Sequence, residues 1–244
     1  MIEVTMGKDK FSKFKSTIDY LSNIFIEANF VYTDGTFKIA EIGGENALGI
    51  EVTFKKIFDG FSVSEDNKHI EFGVLLPEFK KAISRCKEDV IIKFGDLFEI
   101  IGGKKRYKVP VIEMYDKKNF KLPELKDIKV SFEIELSELK EMLEDVNAIS
   151  GDAILFTTKE KKLFFSSENY KNSKCEGEIE LDVKENLQEI KSKFGTKFLS
   201  DMFLKIPFEK AKINLGDDYP LLSEFEDEEL KIEAILAPRI SNED

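Results

Sequence analysis

The sequence predicts an α+β fold of two similar β-rich domains, each with two helices on one face of its sheets. Three observations carry this. Short runs with apolar–polar alternation outnumber the stretches with helical periodicity. The helical stretches recur at matching places in the two halves of the 244 residues. Between the halves lies a polar segment without strand alternation. The expected domains are residues 1–112 and 128–244, joined by a linker over 113–127.

The first half opens on an apolar strand, Ile2 to Met6. An amphipathic helix follows, because Phe11, Phe14, Ile18 and Leu21 recur at helical spacing while Lys8, Lys13, Lys15 and Ser16 lie on the other side. Ile24 to Thr33 and Phe37 to Ile42 read as strands around an Asp34-Gly35 hairpin turn, and Asn46 to Phe54 as a third. A second helix starts near Leu75-Leu76-Pro77, since proline fits a first helical turn. Phe79, Ala82 and Ile83 give its apolar face, and Lys80, Lys81 and Arg85 its polar one. Strands Val90 to Phe94, Leu97 to Ile101 and Arg106 to Ile112 complete the half.

The second half repeats the plan. Ile128, Val130, Phe132 and Ile134 alternate with polar residues, and Leu136, Leu139, Leu143 and Val146 form a helical stripe. An offset of 125 carries Phe11, Phe14 and Ile18 onto Leu136, Leu139 and Leu143, and Tyr32-Thr33 onto Thr157-Thr158. Phe94-Gly95-Asp96 answers to Leu215-Gly216-Asp217, and Phe72-Gly73 with Leu75-Leu76 to Phe194-Gly195 with Phe198-Leu199. Their consistent order indicates two copies of one module. The linker EMYDKKNFKLPELKD holds Phe120 and Leu122, which a wholly solvated segment does not need.

Composition bounds the chemistry. The formal net charge is -11, so nucleic-acid binding requires the cations to be concentrated on one surface. One histidine, His69, excludes a three-histidine zinc site, and two cysteines, Cys86 and Cys175, exclude a disulfide framework. Two isolated thiols point to an intracellular compartment. No apolar run approaches membrane-spanning length, and the N-terminus lacks a signal-peptide core. Of the 37 basic residues 34 are lysine, and there is one glutamine, a usage that leans toward a thermophile.

No catalytic constellation, metal site or cofactor site is expected. Gly102-Gly103-Lys104-Lys105 lacks phosphate-loop spacing and reads as a hairpin turn. His69 sits in a polar surface segment, Cys86 is a small buried hydrophobe, and Glu224 to Glu229 is a solvated turn between strands. No GxSxG occurs.

The C-terminal Ile235-Leu236-Ala237-Pro238-Arg239-Ile240 resembles the LAP[KR]I ending of the sliding DNA clamps of archaea and eukaryotes, the proliferating cell nuclear antigen (PCNA) family. Phe120-Lys121-Leu122-Pro123-Glu124 resembles that family's interdomain linker, and Tyr219-Pro220-Leu221 its xPL segment. Phe79 to Asp89, a lysine-bearing helix ending in cysteine, is also similar. The resemblance spans essentially the whole chain.

It implies a DNA-clamp fold, two helices per domain on the inner face, three subunits closed into a ring, and a processivity factor that is not an enzyme. Duplex DNA would face Lys8, Lys10, Lys13, Lys15, Lys80, Lys81 and Arg85, with Lys140, Lys205 and Lys210 from the second domain. A partner-peptide pocket would form from Asn46, Ala47, Phe120, Leu122, Pro123, Pro220, Ile235, Leu236, Ala237 and Pro238. The backbone after Leu236 is expected to pair with an incoming peptide. Subunits would join through edge strands, Lys105, Arg106 and Lys108 against Glu176, Glu178 and Glu180 of a neighbour. The implied partners are DNA polymerase, flap endonuclease, DNA ligase, a clamp loader and other clamp subunits, identical or related, in the archaeal cytoplasm at the nucleoid. A β-rich peptide-binding adaptor that does not encircle DNA is the alternative.

Overall fold

A computed structural model describes residues 1–33, 35–43, 46–64, 69–87, 89–113 and 121–239. In chain order the elements are β1 (Ile2–Met6), α1 (Lys8–Ser22), β2 (Glu27–Thr33), β3 (Thr36–Gly43), β4 (Leu48–Phe54), β5 (Gly60–Val63), β6 (His69–Leu75), α2 (Leu76–Ser84), β7 (Val90–Phe94), β8 (Leu97–Gly102) and β9 (Lys105–Pro110). They continue with β10 (Val130–Glu135), α3 (Leu136–Ala148), β11 (Ala153–Glu160), β12 (Lys162–Glu168), β13 (Lys174–Glu180), β14 (Leu187–Gly195), α4 (Thr196–Phe203), β15 (Lys210–Leu215), β16 (Leu221–Glu226) and β17 (Leu230–Leu236). Among the described residues, no helix is long and apolar enough to cross a membrane.

The chain packs into two compact units that are not contiguous in sequence. Unit 1 is Met1–Gly43, Glu51–Lys121 and Glu226–Ile232; unit 2 is Gly44–Ile50, Leu122–Phe225 and Glu233–Asp244. Unit 1 holds a sheet in the order β5-β1-β7-β8-β9 and the strands β6-β2-β3 with residues 51–54 of β4. Unit 2 holds a sheet in the order β13-β12-β11-β14 and the strands β10-β15-β16 with residues 233–236 of β17.

Antiparallel pairing exposes the duplication directly. Ile2 lies opposite Phe94 as Val130 lies opposite Leu215. β2 pairs with β3 and β6 as β11 pairs with β12 and β14. Ile2 thus answers to Val130, an offset of 128, while the helices differ by 125. The difference is one extra turn at the start of α1, Lys8-Asp9-Lys10, which α3 lacks.

The core of unit 1 is aromatic. Phe94 lies 5.0 to 5.7 Å, centroid to centroid, from Phe30, Phe37, Phe72 and Phe98, and Phe14 and Phe79 extend the cluster. Edge-on and tilted rings add to the area that each side chain buries. In unit 2 aliphatic Leu139, Leu143, Ile154 and Leu199 do most of this filling, with Phe156 against Phe194.

Gly103 takes a left-handed φ of 59° between β8 and β9, the hairpin expected there. A Cβ on Gly102 would stand 2.9 Å from the Cys86 sulfur, so Cys86 packs on the hairpin. Its thiol is buried, and burial pushes its pKa up, which suits a core residue and not a nucleophile.

Candidate functional surfaces

The first surface is the outward face of α1 and α2. α1 starts where Asp59 Oδ2 accepts the Gly7 N–H at 2.6 Å, and the other oxygen of Asp59 holds Lys10 at 2.8 Å. The Lys10 ammonium, helped by the Gly7 N–H, keeps the Asp59 carboxyl below the usual range. Lys8 projects from the first turn, and Lys15 lies 5.8 Å above the Phe11 ring. On α2, Lys80 is paired with Asp19 of α1. Lys81 and Arg85 are exposed and form no ion pair with another described residue.

Lys13, expected to face DNA, is held within the chain by carboxylates. Its ammonium sits between Asp227 and Glu229 in the turn joining β16 to β17, 3.1 Å from Glu229. That turn is therefore not merely solvated: Asp227 Oδ1 also accepts the Glu229 and Leu230 N–H groups at 2.8 and 3.0 Å. Partial burial alone would lower the Lys13 pKa, but the hydrogen bonds to both carboxylates outweigh it and raise the pKa. Burial would raise that of Asp227, and the Lys13 and backbone donors bring it below the usual carboxylate range.

Lys13→Met should cost about 1 kcal/mol at pH 7, the scale of a partly exposed ion-pair network. The depressed Asp227 contributes above its unfolded pKa and loses that contribution as pH falls through its folded value. The raised Lys13 contributes below its unfolded pKa and loses it as pH rises through its folded value. The difference between parent and variant in urea unfolding should therefore be full between about pH 4 and 10 and shrink below pH 3. An equal difference at pH 2.5 and pH 7 would contradict the pairing.

Unit 2 presents a weaker cationic face. Lys140 on α3 is half-buried and shares the helix with exposed Glu138, Glu141, Glu144 and Asp145. Lys205 follows α4 and is exposed. Lys210 stands on β15, not on a helix, and is held by Glu135 at 2.7 Å. The sequence reading missed Lys197, exposed in the first turn of α4. The Phe194-Gly195 and Phe198-Leu199 repeat match already placed a helix start there.

The second surface is a pair of sheet edges. β9 ends one sheet and β13 another, so among the described residues each leaves one side of its backbone without a strand neighbour. Lys105, Arg106 and Lys108 are exposed on β9, and Glu176, Glu178 and Glu180 on β13. Their charges are partly met within the chain. Lys162 holds Glu178 and Glu180 at 2.6 and 2.8 Å, and Glu99 holds Lys108 at 3.2 Å.

The third surface belongs to unit 2. Leu122, Ala47, Pro220 and Pro238 are half-buried, and Pro123, Ala237 and Asn46 are exposed. Asn46 has a left-handed φ of 70°, which asparagine tolerates. Lys126 donates its N–H to the Tyr219 hydroxyl at 3.2 Å, and a Cβ on Gly216 would meet the Asp127 carbonyl at 2.5 Å. These contacts pin the end of the linker. Phe120 lies outside the described residues. Leu236 is fully buried and Ile235 nearly so, which corrects their expected place on the pocket lining: both fill the core.

The expectation for the backbone after Leu236 also needs correction. The Ala237 N–H is donated to Ala47 O at 2.8 Å and the Arg239 N–H to Lys193 O at 2.6 Å, while Pro238 has none. Among residues 237–239, backbone pairing with a peptide must use carbonyls.

No protein-family model matches the chain. A DNA polymerase sliding clamp from Methanococcus vannielii is 25% identical over 244 residues, covering 94% of this chain and 96% of that protein. The PCNA of Thermococcus kodakaraensis superposes with a TM-score of 0.83 at 20% identity, covering 98% of this chain and all of that one. The PCNA of Entamoeba histolytica gives a TM-score of 0.86 at 17% identity, covering 98% and 99%. The A. fulgidus PCNA, solved with the C-terminal region of FEN-1, gives 0.83 at 21% identity over the whole of both chains. The chain has the fold of the PCNA sliding clamps along essentially its entire length, and its sequence is similar throughout to that of a DNA polymerase sliding clamp.

Proposed function

We propose that the chain is one subunit of a ring that encircles duplex DNA and tethers replication and repair enzymes to it. The carrying observation is the whole-length agreement in fold and sequence with sliding clamps. The protein is a scaffold and performs no chemistry of its own. DNA polymerase, flap endonuclease and DNA ligase are its clients, a clamp loader opens it, and it works in the archaeal cytoplasm at the nucleoid. The ring closes head to tail, β9 of one subunit against β13 of the next.

Lys8, Lys15, Lys81 and Arg85 face the DNA, with Lys197 and Lys205 from unit 2. Lys10 and Lys80 reach it from their carboxylate partners. Contacts are to phosphates and carry no sequence information, as sliding requires. Replacing Lys81 and Arg85 with alanine should weaken retention on circular DNA and leave folding intact. For each phosphate that is no longer neutralised, the slope of log affinity against log salt flattens by about 0.9. An unchanged slope in the double variant would refute the DNA-facing assignment.

A further inference from the structure

In unit 2, Phe156, Thr158, Leu163, Ile179, Ile190 and Phe194 point into the core from the sheet β13-β12-β11-β14. The opposite face is patterned by register. Lys193, Leu155, Ser166 and Glu176 lie side by side across the four strands. Two residues along, Lys191, Thr157, Phe164 and Glu178 do the same. Each row runs base, neutral, neutral, acid. The four central side chains are all half-buried, so they are a floor left partly open. Two hollows of about 380 and 870 Å³ lie over them and share Leu155, Ser166 and Glu176, so they form one continuous trough.

The dimensions select an occupant. Three strand spacings separate the basic rail from the acidic one, roughly 14 Å. A helix with its side chains is about 10–12 Å across. The two rows are about 7 Å apart along the strands, close to the axial distance of about 6 Å between residues i and i+4 of a helix. Neither Lys191 nor Lys193 has an ion pair with another described residue, so the basic rail is open to an acidic partner. On the acidic rail Glu178 is shared with Lys162, and Glu176 has no such pair.

We propose that this trough docks an amphipathic helix of a partner protein. The apolar stripe of that helix lies on Leu155 and Phe164 and its acidic flank along Lys191 and Lys193, while the acidic side of the trough borders the proposed subunit contact. The trough shares no lining residue with the surface around Leu122, although Asp218 and Arg239 at its end adjoin that surface.

The test uses a synthetic helical peptide of about four turns, with a leucine stripe and glutamates on one flank. Fluorescence anisotropy with the full-length protein should show saturable binding. Lys191→Glu with Lys193→Glu should weaken it at least tenfold, with the melting temperature of the protein preserved. Ser166→Trp, which fills the trough without touching the core, should weaken it as well, while Leu122→Ala should leave it unchanged. Equal affinity for the parent and the double variant would overturn the proposal. So would equally tight binding of the same peptide interrupted by proline, which would mean an extended occupant. A change in oligomer mass caused by the lysine reversals would also overturn it, because the occupant would then be a second copy.

Discussion

Glu178→Lys with Glu180→Lys is expected to reduce the oligomer to single subunits. Both residues lie on β13, which among the described residues has a neighbour on one side only, and β9 presents the complementary cations on a similarly open edge. On the proposed pairing, reversal would set like charges against Arg106 and Lys108 of the adjoining subunit, a mismatch of several kcal/mol. The intrachain partner Lys162 sharpens the design, since it holds both glutamates and would be repelled by their replacements. Adding Lys162→Glu restores the local pairing and isolates the effect on assembly. Sedimentation at several concentrations reads the outcome. Recovery of the oligomer on introducing Arg106→Glu and Lys108→Glu into the facing strand would confirm the pairing. An undisturbed mass in the glutamate variant would rule these edges out.

Leu122→Ala is expected to weaken client peptides at least tenfold and leave the oligomer intact. Leu122 is half-buried within the linker segment, and Pro220 and Pro238 are similarly part-open in the same unit. An aromatic anchor seated against such residues makes a hot spot worth about 2 kcal/mol or more. Ile235 is unsuitable for the experiment, because at 9% exposure its truncation opens a core cavity and confounds binding with stability. The Ala237 and Arg239 N–H groups are already donated within the chain, so a peptide does not gain those two donors. Titration calorimetry with a flap-endonuclease peptide decides it. Equal affinity for variant and parent would make the linker a tether and move the pocket elsewhere.

Local pattern made much of this fold readable. β7, with alternate residues buried, begins and ends where its apolar alternation does, and α3 follows its leucine stripe. β5 and β6 were not expected. Gly60–Val63 is short and largely polar, and the alternation from His69 to Leu75 begins in a charged segment. Their pairing with β1 and β2 makes them strands, and pairing is not a local property. His69 accordingly lies on a strand, bonded to Thr33 at 2.6 Å and to Glu71 at 2.8 Å.

The site was legible as composition and not as pairing. Lysines on helix faces are visible in the sequence, but the partner of Lys13 lies 214 residues away. Nothing local separates it from Lys81, which stays open. The tail shows the same limit. Its motif is evident, yet the donation of its N–H groups to Ala47 and Lys193 depends on strands far off in the chain. The interleaving of the two units is likewise hidden, since residues 44–50 and 226–232 change sides through packing alone.

Topological retention tests the account most directly. Loaded by a clamp loader onto a closed circular duplex, the protein should remain bound through a high-salt wash. It should leave when one restriction cut gives the DNA free ends, because phosphate contacts weak enough to slide do not hold it. Equal retention on circular and linear DNA of the same sequence would contradict encirclement.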